Sequence, residues 1–147
     1  MNMKITKEKL TKARATAERL QLEGRDLLYK PLDYINSHCN GIGPEKWPSA
    51  IRAAVSKLHK SAEIAAMIHD LWWDESAEDI DDEELLLCDF RVSNSAFQRN
   101  ALKLADYYYG WFNPLRYLAR HEGRKFRKLL DAFGWPNFLK AVGKSEK

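Results

Sequence analysis

The sequence predicts an all-α, single-domain helical bundle, and three observations carry that prediction. Its 147 residues suit one domain able to bury a core. Apolar residues recur at helical spacing over long segments, and no segment sustains the apolar–polar alternation of a strand. Turn chemistry punctuates those segments at Asn40-Gly41, Gly43-Pro44, Trp47-Pro48, Asn113-Pro114 and Gly134 with Pro136. Neither a repeat nor a linker divides the chain. Residues 1–147 therefore read as one domain, with an N-terminal helix over 1–35 and a core over 36–140.

The first helix is expected to start after Thr6, whose hydroxyl suits an N-cap, and to run to about Tyr29 along the stripe Leu10, Ala13, Ala17, Leu20 and Leu27-Leu28. Gly24 interrupts it, and Pro31 ends it by pushing Lys30 out of the α region. Asn36 to Trp47 is expected to be loop. A helix opening near Pro48 covers Ile51 to Leu58. Ser61, with Glu63 following, then caps a helix to about Trp73. The acidic stretch after it reads as a surface loop or short exposed helix. The next helix opens near Ser93 and continues toward Trp111, where Asn113-Pro114 breaks it. The last runs from Leu115 to Phe133 and stops at Gly134 and Pro136, with a frayed tail after Val142.

Composition narrows the function classes. With 45% apolar and 31% charged residues the chain is globular and not disordered. No apolar run approaches the roughly 18 residues that cross a bilayer. The N-terminus, Met1 to Lys9, has no apolar core, so a secretory signal is not expected there. Two cysteines, Cys39 and Cys88, cannot make a disulfide framework, so a cytoplasmic protein with free thiols is expected, a single Cys39–Cys88 bridge remaining open.

A net charge of +3 is too small to argue for nucleic acid, and no set of base-reading residues accompanies it. The charges are segregated. An acidic block holds Glu75, Glu78, Asp79, Asp81, Asp82, Glu83, Glu84 and Asp89; a basic block holds Arg116, Arg120, Arg124, Lys125, Arg127 and Lys128. Two solvated faces are the simpler account, and a phosphate-facing helix the sharper one. The run Tyr107-Tyr108-Tyr109, Trp111, Phe112 covers every direction of a helix, so part of it must be exposed, which suits a core rim or a peripheral membrane or partner contact.

One pair of motifs points to chemistry. Ile68-His69-Asp70 follows the apolar run Ile64-Ala65-Ala66-Met67 and lies downstream of Cys39-Asn40-Gly41-Ile42-Gly43-Pro44. A lone histidine on an apolar helix is more often a packed core residue. Here a glycine-bearing turn that can converge carbonyl oxygens precedes a helix with neighbouring His and Asp, about 100° apart around the axis. One could serve water and the other a hard cation. His38, His59 and His121 show no metal-ligand spacing.

This arrangement resembles phospholipase A2, and more closely the short phospholipase A2-like proteins of bacteriophages and prophages. The residues that carry the resemblance are Asn40-Gly41-Ile42-Gly43-Pro44, then Ile68-His69-Asp70-Leu71-Trp72-Trp73, then Asn94-Ser95-Ala96-Phe97-Gln98-Arg99-Asn100, and last Phe126 to Gly134 with Trp135-Pro136. The likeness spans about Ser37 to Phe138, making 36–140 a phospholipase A2-like core with an added N-terminal helix. It implies calcium held by the carbonyls of Cys39, Gly41 and Gly43 and by the Asp70 carboxylate, with His69 as general base toward water. Trp73 stands where that family has Tyr, and Asn94 stands where it has the Asp that orients the histidine. The resemblance thus implies calcium-dependent hydrolysis of phospholipid acyl esters, or a catalytically weakened relative that engages a host or defence protein.

Overall fold

Thr6 opens the first helix as its hydroxyl requires. Its Oγ1 accepts from the Lys9 backbone N–H at 3.1 Å, and helix α1 runs over Lys7–Leu20 with Leu10, Ala13 and Ala17 buried. The computed structural model describes residues 5–38, 60–76 and 83–141; of these, 86% are helical and none lies in a strand. The expected helix at Pro48 to Leu58, the turn around Gly41 and the tail after Val142 lie outside the described residues, as do 77–82 of the acidic block.

α1 is shorter than its apolar stripe suggested. Gln21 adopts the left-handed conformation (φ 51°) and returns its N–H to Ala17 and Glu18. Lys103 places its ammonium 3.4 Å from the Leu20 carbonyl and 3.2 Å from that of Gln21, meeting the negative end of the helix dipole. Leu27 and Leu28 instead belong to a 3₁₀ turn, Arg25–Tyr29, that folds back under α1. Arg14 holds that turn by donating to the Leu28 and Lys30 carbonyls at 2.7 and 3.1 Å. Pro31 also opens a helix where only an ending was expected. Its carbonyl accepts from Ile35, and α2 spans Leu32–His38, so Asn36 is helical and not in a loop. The Asn36 amide brackets the Ile5 backbone, accepting at 2.7 Å and donating at 3.0 Å.

A 3₁₀ turn, Lys60–Ala62, holds Ser61 and leads into α3, Glu63–Glu75. Ile64, Ala65, Ala66, Met67, Ile68, Leu71 and Trp73 are all buried. Such a helix, apolar most of the way round, belongs at the centre of the fold.

α4 spans Glu83–Tyr108, starting well before the Ser93 that the turn signals favoured. Leu86, Phe90, Phe97, Ala101 and Leu104 make one continuous buried stripe, and Glu83 and Glu84 sit in a first turn that favours acidic side chains. α5, Pro114–Phe133, matches its expected span, with Asn113 as N-cap and Pro114 at the first position. α4 and α5 pack antiparallel: Phe97 meets Phe126 with ring centroids 5.1 Å apart, and a methyl at Gly123 would lie 3.1 Å from Ala101 Cβ. Pro136 does not end the helical structure. It sits in the first turn of α6, Trp135–Ala141, where a missing N–H costs nothing, and Trp135 and Phe138 close the core against Phe90.

Gly24 joins the 3₁₀ turn to α3. Its φ is +81°, and a Cβ there would lie 2.8 Å from Ile68 Cγ2 and 3.0 Å from the Trp72 ring. Gly24→Ala is expected to lower the free energy of unfolding by about 2–4 kcal/mol, left-handed strain adding to overpacking. Gly110→Ala, in open space, should change it by less than about 0.5 kcal/mol. Urea denaturation of the two variants checks both values.

Candidate functional site

His69 lies on α3 where the helix faces α4, and only 3% of its surface is exposed. Its ring sits between Trp73, with centroids 4.6 Å apart, and Phe97, at 5.7 Å. Asn94, wholly buried on α4, brings Oδ1 to 2.8 Å from His69 Nε2. The other end of that amide, Nδ2, donates to Asp131 Oδ1 on α5 at 2.9 Å. One turn earlier on α5, Arg127 brings Nε to 2.7 Å from Asp131 Oδ2 as an ion pair. Its two terminal nitrogens donate to Gln98 Oε1 at 3.1 Å and Ser95 Oγ at 2.9 Å.

This chain of contacts fixes a proton. An ionised carboxylate only accepts, so Asp131 turns the Asn94 NH₂ toward itself. The amide oxygen is thereby turned to His69, whose Nε2 must carry hydrogen and donate. The neutral imidazole then holds its lone pair on Nδ1. Asp131, itself exposed to solvent, thus sets the tautomer of a buried histidine through an intervening amide.

Burial pushes the His69 pKa down to about 4, against the upward pull of the hydrogen bond with Asn94. The ring is neutral at pH 7. A folded pKa below the unfolded value of about 6.5 means that the unfolded chain binds the proton more tightly. The stabilising effect of the neutral ring is therefore complete above pH 6.5 and is lost as pH falls toward 4.

The other expected site residues are distributed as follows. Asp70 is half-buried on α3, the residue after His69. Cys39, Gly41 and Gly43 lie outside the described residues. Among the described residues no group of three or more His, Cys, Asp or Glu is arranged to hold a metal. Of the four expected calcium ligands the structure describes Asp70 alone, whose carboxylate is a hard oxygen donor of the kind calcium takes. Trp73 does not replace the hydroxyl that the resemblance leads one to expect at Asn94. Its indole N–H donates to Ser93 Oγ at 2.9 Å, and Asp131 holds the amide instead. Asp89, one of the acidic block, accepts from Trp72 Nε1 at 3.3 Å and from the Ser76 hydroxyl and does not reach His69. Cys88 is an exposed free thiol, and His121 is exposed.

Asp131 is the residue that the sequence reading missed. An acid four residues after Arg127 on a basic helix reads as an i,i+4 surface pair, and it is one. Its second role appears only when the antiparallel register of α4 and α5 sets it against Asn94. No protein-family model, curated protein or solved structure matches the chain.

Two outcomes follow from this geometry. Stability measured by denaturant titration should fall by about 3 kcal/mol more between pH 6.5 and pH 4 in the wild type than in His69→Gln, from the shift to about 4. Asn94→Asp alone would set two carboxylates face to face and should cost about 2–3 kcal/mol. The double swap Asn94→Asp with Asp131→Asn restores a donor opposite an acceptor. It should regain most of that loss and raise the His69 pKa, read from imidazole NMR shifts across pH.

Proposed function

We propose that the protein is a phospholipase A2-like hydrolase of the bacteriophage or prophage type, cleaving phospholipid acyl esters with His69 as the base. The observation that supports this reading best is the chain His69, Asn94, Asp131, which assigns the basic lone pair to Nδ1. In this reading His69 Nδ1 takes a proton from the attacking water while Nε2–H stays on Asn94 Oδ1 and keeps the ring in place. Asp131, held by Arg127, supplies through the amide part of the negative field that an imidazolium needs. Calcium, held by Asp70 and the carbonyls of Cys39, Gly41 and Gly43, would polarise the ester carbonyl when bound. The proposed place of action is the cytoplasm, the host's if the protein is phage-encoded, with phospholipid as partner.

A second reading rests on a specific observation of its own. His69 is only 3% exposed, between Trp73 and Phe97, and burial lowers its pKa to about 4, which suits a retired site whose frame engages a host or defence protein. One experiment separates the two. Mixed phospholipid vesicles are incubated with calcium and the wild type, His69→Gln or Asp131→Asn, and fatty-acid release is followed. The hydrolase reading expects release that falls on the order of 10²-fold or more in His69→Gln and less steeply in Asp131→Asn. Equal release by all three proteins removes it. Calorimetric titration of calcium into wild type and Asp70→Asn should show heat only in the former.

A further inference from the structure

The corner between α4 and α5 turns large aromatic side chains to solvent. Trp111 is 63% exposed and Phe112 80%, and Tyr108, Leu115, Tyr117 and Leu118 around them are exposed as well. The corner is held rigidly. Asn113 N–H donates to the Gly110 carbonyl at 2.9 Å, and the Tyr117 hydroxyl donates to the Trp111 carbonyl at 2.7 Å. Arg116 and Arg120 both close on Asp106, at 2.8 and 2.7 Å. The Trp111 and Phe112 rings lie against each other, tilted by 32°, with centroids 3.8 Å apart. Ordering apolar surface in water without covering it is unfavourable, and such patches mark interaction sites.

The charges beside the patch indicate what covers it. α5 buries Ala119, Gly123, Phe126 and Leu130 on one face. Tyr117 and Leu118, then Arg124, Lys125 and Lys128, project from the opposite face and are all exposed. Among the described residues none pairs with Arg124, Lys125 or Lys128. α5 carries six basic residues and two acidic ones, the latter being half-buried Glu122 and ion-paired Asp131. Aromatic rings flanked by outward cations match the headgroup layer of an anionic bilayer: rings sit at the interface and ammonium and guanidinium groups meet phosphates. Among the described residues no helix is long and apolar enough to cross a membrane, so the contact would be peripheral.

We propose that the α4–α5 corner and the outward face of α5 dock the protein on an anionic phospholipid surface. From Asn94 to Tyr108 the α4 axis runs about 20 Å, at about 1.5 Å per residue. The aromatic corner is thus remote from His69, and docking does not depend on hydrolysis.

The test is cosedimentation of the full chain with sucrose-loaded vesicles in the presence of a chelator. One set of vesicles is phosphatidylcholine alone and the other contains phosphatidylserine. Binding to the anionic set, weakened by added salt and about ten-fold or more weaker in Trp111→Ser with Phe112→Ser, is the expected result. Lys125→Glu with Lys128→Glu should also weaken it. All substituted side chains are exposed, and unchanged circular dichroism and melting confirm that the variants fold. His69→Gln should bind like the wild type, so loss of hydrolysis and loss of docking are read separately. No binding to anionic vesicles, or binding that the corner substitutions leave unchanged, overturns the proposal. A dimer in sedimentation velocity that Trp111→Ser with Phe112→Ser dissociates, without vesicle binding, gives the patch to a second copy and equally overturns it.

Discussion

The amide of Asn94 is the constraint on which the centre of this protein depends. It is wholly buried, and both of its ends are occupied, one by an imidazole nitrogen and the other by a carboxylate. In a dry interior neither end can exchange its partner for water, so an amide turned the wrong way would leave an uncompensated acceptor against an acceptor. Asp131 decides the orientation because a carboxylate has only one way to bond. Three helices, α3, α4 and α5, are thereby tied at a single level. Trp73 and Phe97 supply the apolar walls on the His69 side of the tie, while Asp131 meets solvent at its other end.

The features that could be read in the sequence are those set by local chemistry. Thr6 caps α1, Asn113-Pro114 starts α5, and both do so because hydroxyl, amide and pyrrolidine act on the nearest few residues. The all-α class follows from spacing alone. What misled was continuity of pattern across a break. Leu27 and Leu28 prolong the stripe of α1 in sequence, yet the chain reverses at Gln21 and Gly24, and Leu28 is buried by a 3₁₀ turn. A left-handed Gln has no strong signature, and the Lys103 ammonium that helps to satisfy the α1 carbonyls lies far along the chain. Proline likewise signals a stop in the sequence at Pro31 and Pro136, yet it opens α2 and sits in the first turn of α6.

The candidate site divides in the same manner. His69 and Asn94 were singled out from their motifs, and they meet at 2.8 Å. Asp131 was not, because its role is a property of helix register and of no local motif. The basic block shows the same limit. Arg116, Arg120 and Arg127 are engaged by Asp106 and Asp131, so half of the positive face is internal bracing, and only Arg124, Lys125 and Lys128 keep an outward charge. A count of residues along the chain could not tell the two halves apart.

The pairing of α4 with α5 has a mechanical consequence. Asp106 grips two arginines near one end of the hairpin, Asn94 grips Asp131 near the other, and between them Gly123 lets the backbones approach over Ala101. Sliding one helix by a single turn, about 5.4 Å, would release both grips at once and drive a larger side chain into the space that the missing methyl leaves. The hairpin is consequently a strut with no intermediate stop. Register between these two helices is thereby set from both ends at once.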